Sequence, residues 1–482
     1  MHLLRSYFKT GERDCTGYSP KRYRVQSIAF TLLFTVLITS CEKKPEVPQG
    51  PLQIYFTADV NGRLEPCGCF TGQYGGLTRI DTWLDYRDPT AASLRLDVGD
   101  ALKGTADYDL IHYEHLAKGF QHLNYQALNV GAREASLSLA ELKEIAAKTG
   151  APLISANLVD DQTGTPVLPP YRMVESQNRK VAVIGLVDPA SVTNTLGEGL
   201  AVQAMETSLT NLLSKIATEH SPDLTILLAF TDEAKLRSLA QQFYELDIIL
   251  GGDVPQPSQE LIIENESVIL FTTNEARAVG DLKFELTGRQ ITKPAFDIHL
   301  MQETIPQSPA ILALSKSYRD LVRTTKLDID DPASADNEAI IPGGGFGHSY
   351  VGSESCAACH PKATAAWKKS RHAHAFSTLT KSSTDADPNC IVCHTVGFGE
   401  VSGYRREFGA DKLTNVGCES CHGPGSEHVT QRALGDPTKV TFQFRPLGAS
   451  DCTKCHHGEF SRPFKWDEFW PLIQHGKEAA MP

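Results

Sequence analysis

The sequence predicts an α/β domain over residues 52–300, followed by a domain of mostly α-helical and irregular structure over residues 350–482. Two observations predict this organisation. Short β-rich runs alternate with helical runs throughout the first region, which is typical of α/β folds whose strands are buried on both faces. In the last region the pattern Cys-x-x-Cys-His occurs four times, at residues 356–360, 390–394, 418–422 and 452–456.

The bulk composition is that of a folded protein. At 482 residues, with 41% hydrophobic and 22% charged residues, the chain is long enough for two or three domains with their own cores. The formal net charge of -12 argues against a nucleic-acid partner and favours basic redox partner proteins.

The first forty residues have the pattern of an export signal. Residues 1–27 are rich in Lys and Arg, and residues 28–39 form an uncharged apolar run. This run is too short for a comfortable membrane span, so we predict a signal peptide over residues 1–40. It ends in Leu37-Ile38-Thr39-Ser40-Cys41, which resembles the lipobox of bacterial lipoproteins. The resemblance implies a lipid anchor on Cys41; the alternative is an ordinary secretory signal with an incidental Cys.

The residues after Cys41 suggest where such an anchor would hold the protein. Residues 41–51 are polar and Pro-rich, which is typical of a tether between a bilayer and a folded domain. Glu42 follows the Cys, whereas an Asp there would resemble an inner-membrane retention signal. We therefore expect the periplasmic side of a bacterial membrane or the cell surface, with the outer membrane favoured.

Apolar runs and helical periodicity predict the individual elements of the α/β domain. The predicted strands cover residues 52–57, 93–98, 153–156, 181–186, 224–229, 248–250 and 267–272, with edge strands at 279–286 and 295–300. The predicted helices cover residues 76–86, 108–123, 138–148, 205–219 and 233–243. Polar residues, including Asp59, Asp100 and Asp253, follow several strand ends. Because ligands of open α/β sheets bind outside the carboxyl ends of strands, these loops predict one binding site.

Several motifs in this region carry a specific resemblance. The segments 54–64, 75–79, 96–105, 129–134 and 247–253 resemble the calcineurin-like metallophosphoesterases, most closely their periplasmic 5'-nucleotidase branch. The resemblance covers residues 52–300. It implies a four-layer sandwich in which two metal ions bridged by hydroxide attack a phosphoester.

The metal ligands of that family are only partly present here. Asp59 and Asp100 match family ligands, but Asn61 and Phe230 stand where His is expected. The Asn and His of the Gly-Asn-His-Glu motif are replaced by Ala132 and Arg133, and the terminal Gly-His-x-His is replaced by Gly-Asp253-Val-Pro. Two or three acidic ligands are too few to offset the repulsion of two divalent ions. We therefore expect the fold without ordinary phosphoesterase activity.

Two cysteines keep a repurposed metal site open. Cys67 and Cys69 lie in the loop directly after Asp59. As thiolates they would supply a soft metal site near Asp59 and Asp100. As a disulfide they would close a strained, easily reduced ring, and as a buried pair they would have only local structural use. Asp59, Asp100, Cys67, Cys69 and Asp253 are the candidate ligands for a divalent metal.

The Cys-x-x-Cys-His pattern is that of covalent haem attachment. Two thiols three positions apart add to the vinyl groups of one haem, and the adjacent His ligates its iron. Zinc ribbons are the alternative, but zinc does not require a His after every second Cys. We predict four covalently bound haem c groups. The attachment residues are Cys356, Cys359, Cys390, Cys393, Cys418, Cys421, Cys452 and Cys455, and the proximal ligands are His360, His394, His422 and His456.

The remaining axial positions need further histidines, and a second resemblance orders the candidates. Residues 350–429, with a looser match to residue 482, resemble the cytochrome c-554-like tetrahaem family. The resemblance implies that His372 ligates a neighbouring haem and that His428 is an axial ligand. His475 is the third candidate, and His348 and His374 compete for the fourth position. The family includes a five-coordinate haem, which here would be the haem on His394.

Between the two domains, residues 301–349 are predicted to form one amphipathic helix over 308–326 and an acidic, Gly-rich linker. The favoured function is electron transfer by an exported tetrahaem c-type cytochrome, with the degenerate first domain as a docking or ligand-binding part. One alternative is a redox enzyme acting on a small nitrogen or sulfur species at an open haem. Another is a metal-dependent 5'-nucleotidase or phosphodiesterase. Electron transfer is favoured over phosphoester hydrolysis.

Overall fold

The computed structural model describes residues 50–66, 73–192, 196–273, 275–331, 348–407, 411–435, 444–457 and 463–475. The predicted signal peptide, Cys41, Cys67 and Cys69 lie outside these ranges.

The first region contains two six-stranded sheets and six α-helices in its described part. The strands are Leu52–Thr57 (β1), Leu94–Asp97 (β2), Ala127–Asn129 (β3), Leu153–Ile154 (β4), Leu158–Asp160 (β5), Tyr171–Ser176 (β6), Arg179–Val187 (β7), Leu200–Val202 (β8), Leu224–Phe230 (β9), Ile248–Gly251 (β10), Ile262–Glu264 (β11), Ser267–Phe271 (β12), Ala278–Thr287 (β13) and Gln290–Leu300 (β14). The helices are Leu77–Arg87 (α1), Asp107–His122 (α2), Leu139–Thr149 (α3), Met205–His220 (α4), Glu233–Gln242 (α5) and Pro309–Thr324 (α6).

The sheets have the orders β14-β13-β1-β2-β3-β4 and β11-β12-β10-β9-β7-β6, and β5 pairs with β8 in a small separate sheet. Strands β1 to β4 run parallel, as do β7, β9, β10 and β12, while β13 and β14 in the first sheet and β6 and β11 in the second pair antiparallel. This mixture follows from the connections, because helices cross over between the parallel strands and tight turns join β6–β7 and β13–β14.

The two sheets form the centre of four layers. Alternate residues of each strand, such as Phe56 and Val183, meet between the sheets in one buried cluster. The opposite face of the first sheet is covered by α1, α2, α3 and α6, and that of the second sheet by α4 and α5. The central strands β2, β9 and β10 therefore bury both faces, as the continuous apolar runs in the sequence require, whereas β6 and β14 are partly exposed. The predicted four-layer α/β sandwich is confirmed.

One predicted feature of the first sheet is wrong. Residues 279–286 are predicted to form an edge strand, but β13 lies between β14 and β1. Of the two predicted edge strands only β14 is at an edge of this sheet, and the other edge is β4. In the second half of β13 buried and exposed residues alternate, and the same alternation of apolar and polar residues is typical of an edge strand. Its pairing with β1 requires a close approach at Gly280, where a Cβ atom would lie 2.2 Å from the Phe56 ring.

The C-terminal region consists of short helices joined by irregular segments. Its helices are Glu354–Ala357 (α7), Pro361–Lys369 (α8), Ala375–Ser382 (α9), Pro388–His394 (α10), Cys418–His422 (α11), Ser426–Ala433 (α12), Ala449–Cys452 (α13) and Trp466–Phe469 (α14). Its buried apolar cluster is small, comprising Tyr350, Leu379, Ile391, Val396, Phe398, Tyr404 and Leu413. No helix in the described part of the chain combines the length and apolarity needed to cross a membrane.

The C-terminal region packs directly on the end of α6. Arg406 bonds through its guanidinium to the Asp330 carboxylate and to the carbonyl oxygens of Val322, Thr325 and Ala386, with side chains of Arg406 and Asp330 that are 8% and 3% exposed. A second, more exposed pair joins Arg323 of α6 to Asp385 at 2.8 Å. The two regions are therefore in contact through charge-assisted hydrogen bonds, which are stronger than neutral ones.

Candidate haem centre and carboxylate cluster

Six of the histidines in the C-terminal region lie close together in three pairs, with interplanar angles of 27°, 46° and 53°. The ring centres are 6.1 Å apart for His360 and His428, 6.0 Å for His372 and His456, and 5.9 Å for His422 and His475. Each pair contains one His from a Cys-x-x-Cys-His motif and one of the predicted distal histidines. The second member always comes from another part of the chain, so it is the fold that brings the pairs together.

The spacing of these pairs fits an iron between two imidazoles. A bond from a metal to an imidazole nitrogen is about 2 Å long, so two such bonds on opposite sides of one ion place the ring centres about 6 Å apart. Burial lowers the pKa values of His372, His422 and His456, which favours the neutral imidazole that ligates a metal. The residues present therefore fit haem iron at three places.

The fourth motif His is in a different environment. The Nδ1 atom of His394 lies 2.8 Å from the carbonyl oxygen of Ala375, a bond of the kind that orients a metal-ligating imidazole. Among the described residues no second His faces its ring. His374 is exposed, and the Nε2 atom of His348 lies 3.0 Å from the Glu427 carboxylate instead.

The attachment cysteines show which motifs are neighbours. All eight are free of disulfides. The thiol of Cys356 is hydrogen-bonded to Cys418, and that of Cys393 to Cys455. The first motif therefore lies beside the third, and the second beside the fourth.

Aromatic side chains line the paired histidines, and sequence reasoning did not single them out. Phe444 lies against His422 and His428, with ring centres 5.5 and 5.2 Å away. Phe464 and Phe469 lie 5.8 and 5.4 Å from His456. Apolar walls of this kind exclude water from a haem and so help to set its reduction potential. The density of Phe and Trp in residues 464–470 was the available signal.

A separate cluster of charges lies at the strand ends of the first region. Asp59 and Asp100 follow β1 and β2, and Arg133 follows β3. The Nη1 atom of Arg133 is 2.7 Å from Asp59 Oδ1 and 2.7 Å from Asp100 Oδ2. The strand-end loops thus do meet, but a guanidinium stands between the two carboxylates.

The backbone holds both carboxylates in place. Asp59 and Asp100 adopt left-handed conformations, with φ of 49° and 66°, which Asp tolerates better than most residues. The amide of Asp59 donates to the carbonyl of Gly99 at 2.9 Å. Buried Glu134 accepts hydrogen bonds from the amides of Asp100, Leu102 and Gly131, which fixes the loop after β2.

Burial and neighbouring charge decide the protonation of this cluster. Burial and the Glu134 carboxylate raise the pKa of Asp100 to about 7, although Arg133 acts in the opposite direction. Burial alone would lower the pKa of Arg133, but Asp100 and Asp59 raise it, so the guanidinium stays charged. The cluster is therefore compensated by the protein's own cation.

This donor set does not fit the two-metal centre that the resemblance implies. The described residues contain no group of three or more His, Cys, Asp or Glu side chains that could hold a metal ion. The two carboxylates that match family ligands are already paired with Arg133. Asp253, the third acidic candidate, accepts a hydrogen bond from Ser191 at 2.7 Å. Sequence reasoning noted Arg133 only as the residue in place of the catalytic His of the Gly-Asn-His-Glu motif and missed it as a replacement cation.

Fold and site together define the class of this protein. It has an α/β domain with the calcineurin-like phosphoesterase fold, followed by a cytochrome c554-like region, and the resemblances of these two regions stated from the sequence are confirmed.

Comparisons with known proteins identify the relatives of each part. Residues 355–423 match the family model described as "Cytochrome c554 and c-prime". Cytochrome c-554 of Nitrosomonas europaea is 37% identical over 91 residues, which is 16% of this chain and 39% of that protein. A 5'-nucleotidase of Vibrio parahaemolyticus is 28% identical over 208 residues, which is 39% of this chain and 37% of that protein. The chain thus spans about two fifths of the length of each of these relatives.

A solved structure resembles the first domain in fold. It is that of a 5'-nucleotidase precursor from Thermus thermophilus, with a TM-score of 0.50 and 19% identity over 57% of this chain and 59% of that one. At this identity the likeness establishes the fold alone. The cytochrome c554 match implies that the C-terminal region binds haem c.

Proposed function

We propose that this protein is an exported tetrahaem c-type cytochrome that transfers electrons, held at a membrane through lipid on Cys41. The observation that carries the proposal is the three His pairs with ring centres 5.9–6.1 Å apart. Packing alone does not explain three such pairs in one short region, because an imidazole loses hydration where another ring covers it and apolar side chains would pack at lower cost. Haem c supplies one-electron redox chemistry when bound.

The pairs suggest which residues hold each haem. His360 and His428 would ligate the iron of the haem at Cys356 and Cys359. His422 and His475 would hold the haem at Cys418 and Cys421.

The other two haems are held differently. His456 would share its iron with His372, which comes from the segment after the first motif and so ligates a neighbouring haem. His394 would hold the haem at Cys390 and Cys393 alone.

A second function follows from His394. An iron with one protein ligand has a free coordination position, so it would bind a small nitrogen or sulfur species. The observation that favours this reading is that no His among the described residues faces His394 across the distance seen in the three pairs. Its hydrogen bond to Ala375 keeps the ring in a fixed orientation, as a proximal ligand requires.

For the first domain we propose docking or ligand binding without phosphoester hydrolysis. Two-metal hydrolysis requires ions that clamp the attacking and leaving oxygens. Arg133 forms ion pairs with the two remaining carboxylates, but a guanidinium has no open coordination position and cannot bind hydroxide as a metal ion does. The domain keeps its packing because the ion cluster is compensated.

The spin state of the irons tests the haem assignment. The purified protein is expected to contain four haems, three low-spin and one high-spin, by electron paramagnetic resonance. His428→Ala removes one member of a pair and is expected to convert one more iron to high spin. Adding nitric oxide or hydroxylamine should change the high-spin signal only.

His374→Ala is the matched control for this experiment. His374 lies in the same region but belongs to none of the three pairs, so its removal should leave the spectrum as in the wild type. Four low-spin irons in the wild type would exclude the open-iron function. An unchanged spectrum in His428→Ala would contradict the assigned pairing.

Hydrolytic activity is expected to be absent. Because Arg133 neutralises Asp59 and Asp100, assays with 5'-AMP and nitrophenyl phosphate should give no turnover with Mg²⁺, Mn²⁺, Co²⁺ or Zn²⁺. Turnover that depends on a metal and is lost in Asp100→Ala would overturn this part of the proposal.

A further inference from the structure

A polar cluster lies where α10 meets the first domain. Asp387 is the N-cap of α10, and its carboxylate accepts a hydrogen bond from the backbone amide of Asn389 at 3.0 Å. The Tyr318 hydroxyl of α6 donates to the same carboxylate at 3.2 Å. The Asn389 side chain in turn donates to Asp109 of α2 at 3.4 Å. Asn389 thus connects two carboxyl groups from different domains.

These two carboxyl groups are not compensated in the way their neighbours are. Asp385 is paired with Arg323, and Asp330 with Arg406, both by direct ion pairs. For Asp109 and Asp387, Lys103 is the basic group whose charge lowers the pKa of both carboxyl groups. One lysine cannot neutralise two carboxylates that also repel each other.

The surroundings of the pair favour the protonated form. Asp109 is 7% exposed and Tyr318 is 2% exposed. Burial raises the pKa of Asp109 and of Asp387, and Lys103 only partly opposes this. His112, which packs edge-to-face on Tyr318, has its pKa lowered by burial to about 3 and so contributes no positive charge.

Other titratable or charged side chains near the pair come from both domains. Tyr108 and Tyr318 lie on the side of the first domain, and burial raises the pKa of both hydroxyls, so they remain neutral. From the C-terminal region, Arg406 donates to the carbonyl oxygen of Ala386, while its charge is matched by Asp330. Groups that interact this closely titrate as a unit, so the pair is treated as one proton-binding site.

The same helix carries haem-binding residues, provided the proposed function is correct. Cys390, Cys393 and His394 all lie on α10, and the Cys390 amide donates to the Asp387 carbonyl at 2.9 Å. Asp387 therefore lies one helical turn from an attachment cysteine. A charge placed on that haem acts on the pair through a poorly solvated interior, where electrostatic interactions are strong.

We propose that Asp109 and Asp387 form a proton-binding site linked to the haem attached at Cys390 and Cys393. When that haem takes one electron from an external donor, the added negative charge increases the proton affinity of the pair. Up to one proton then moves from solvent to the pair and forms a carboxyl O–H bond, and no bond of the protein breaks. Because linkage is reciprocal, proton binding makes reduction of the same haem easier.

The test is redox titration of the holoprotein at a series of pH values above the ordinary carboxyl pKa of about 3.9, because burial raises the pKa of both groups. In the wild type, the midpoint potential of one haem is expected to fall as the pH rises. Asp387→Asn keeps the N-cap, since Asn and Asp cap helices equally well, and should flatten this dependence. Asp109→Asn should do the same from the other domain.

Asp385→Asn is the control, because it removes a carboxylate two residues from Asp387 that is already paired with Arg323. It should leave the pH dependence unchanged. The midpoint potentials of the other three haems should keep their wild-type pH dependence in every variant. Proton uptake on reduction, followed with a pH indicator, should fall in Asp387→Asn and Asp109→Asn only.

The outcomes separate this inference from the proposed function. A haem count below four, or no haem retained at Cys390 and Cys393, contradicts the proposed function itself. Four haems with identical pH dependence in the wild type, Asp387→Asn and Asp109→Asn would overturn the proton-binding site alone. Equal loss in Asp385→Asn would also overturn it, because the effect would then be one of general surface charge.

Discussion

Protein produced without haem attachment is expected to lose the folded structure of residues 348–475 while residues 50–331 remain folded. Among the described residues, the C-terminal region buries one cluster of seven apolar residues, whereas the first domain has three large clusters. Each buried large apolar side chain contributes about 1.5–3 kcal/mol, which cannot offset the conformational entropy of so long a segment. Haem binding must therefore supply the missing stabilisation. Hydrogen exchange followed by mass spectrometry would measure protection in both regions.

The control is the same chain exported and loaded with haem, which should protect both regions. A milder variant, Cys418→Ser with Cys421→Ser, removes one attachment and should reduce protection most around α11 and its neighbour α7. Strong protection of residues 348–475 in the haem-free protein would contradict the view that haem forms the core of this region.

Arg133→Ala is expected to lower the free energy of unfolding by about 2 kcal/mol. Breaking a fully buried ion pair typically costs ~3–5 kcal/mol, and we expect less here because the Arg133 side chain is 35% exposed. The loss should grow with pH. When a carboxyl group has a higher pKa in the folded than in the unfolded state, the protein loses stability as the pH rises from the unfolded-state pKa to the folded-state pKa. For Asp100 that window ends near pH 7, and removal of Arg133 extends it upward. Urea unfolding at pH 5 and pH 8 would measure the difference.

Divalent metal gives this prediction a second readout. With the guanidinium gone, Asp59 and Asp100 face each other uncompensated, so Mn²⁺ should raise the unfolding temperature of Arg133→Ala and leave that of the wild type unchanged. Arg133→Lys should behave like the wild type because it keeps a cation.

Arg237→Ala is the matched control for the loss of an arginine. Arg237 forms an exposed pair with Glu233 on one helix, and such pairs contribute about 0.3–0.5 kcal/mol. Equal destabilisation of Arg133→Ala and Arg237→Ala would show that the Arg133 pairs carry no special role.

Much of the fold was predictable from local sequence. The strands at 52–57 and 224–229 and the helices at 205–219 and 233–243 agree with β1, β9, α4 and α5 to within a residue or so. Long apolar runs and clear helical periodicity carry that information. The three-residue strand β3 and the half-exposed strand β6 were not predicted, because elements this short or this polar have no distinct pattern.

The candidate sites divide in the same way. Haem attachment is readable because both thiols and the ligand lie within five consecutive residues, so the chemistry is encoded locally. The partner of each motif His is not, since His428 meets His360 and His475 meets His422 only after the chain has folded. The sequence proposed these histidines as distal ligands, and their assignment to individual irons stays a prediction.

By itself, the sequence determined the two domain types and the covalent haem motifs, because hydrophobic periodicity and short-range spacing are properties of the chain. Only the tertiary structure decided that Arg133 stands between Asp59 and Asp100, and that Asn389 bonds Asp387 through its backbone amide and Asp109 through its side chain. These charges come from segments far apart in sequence. Their protonation depends on burial and on neighbours that exist only once the sheets, α2, α6 and α10 have packed.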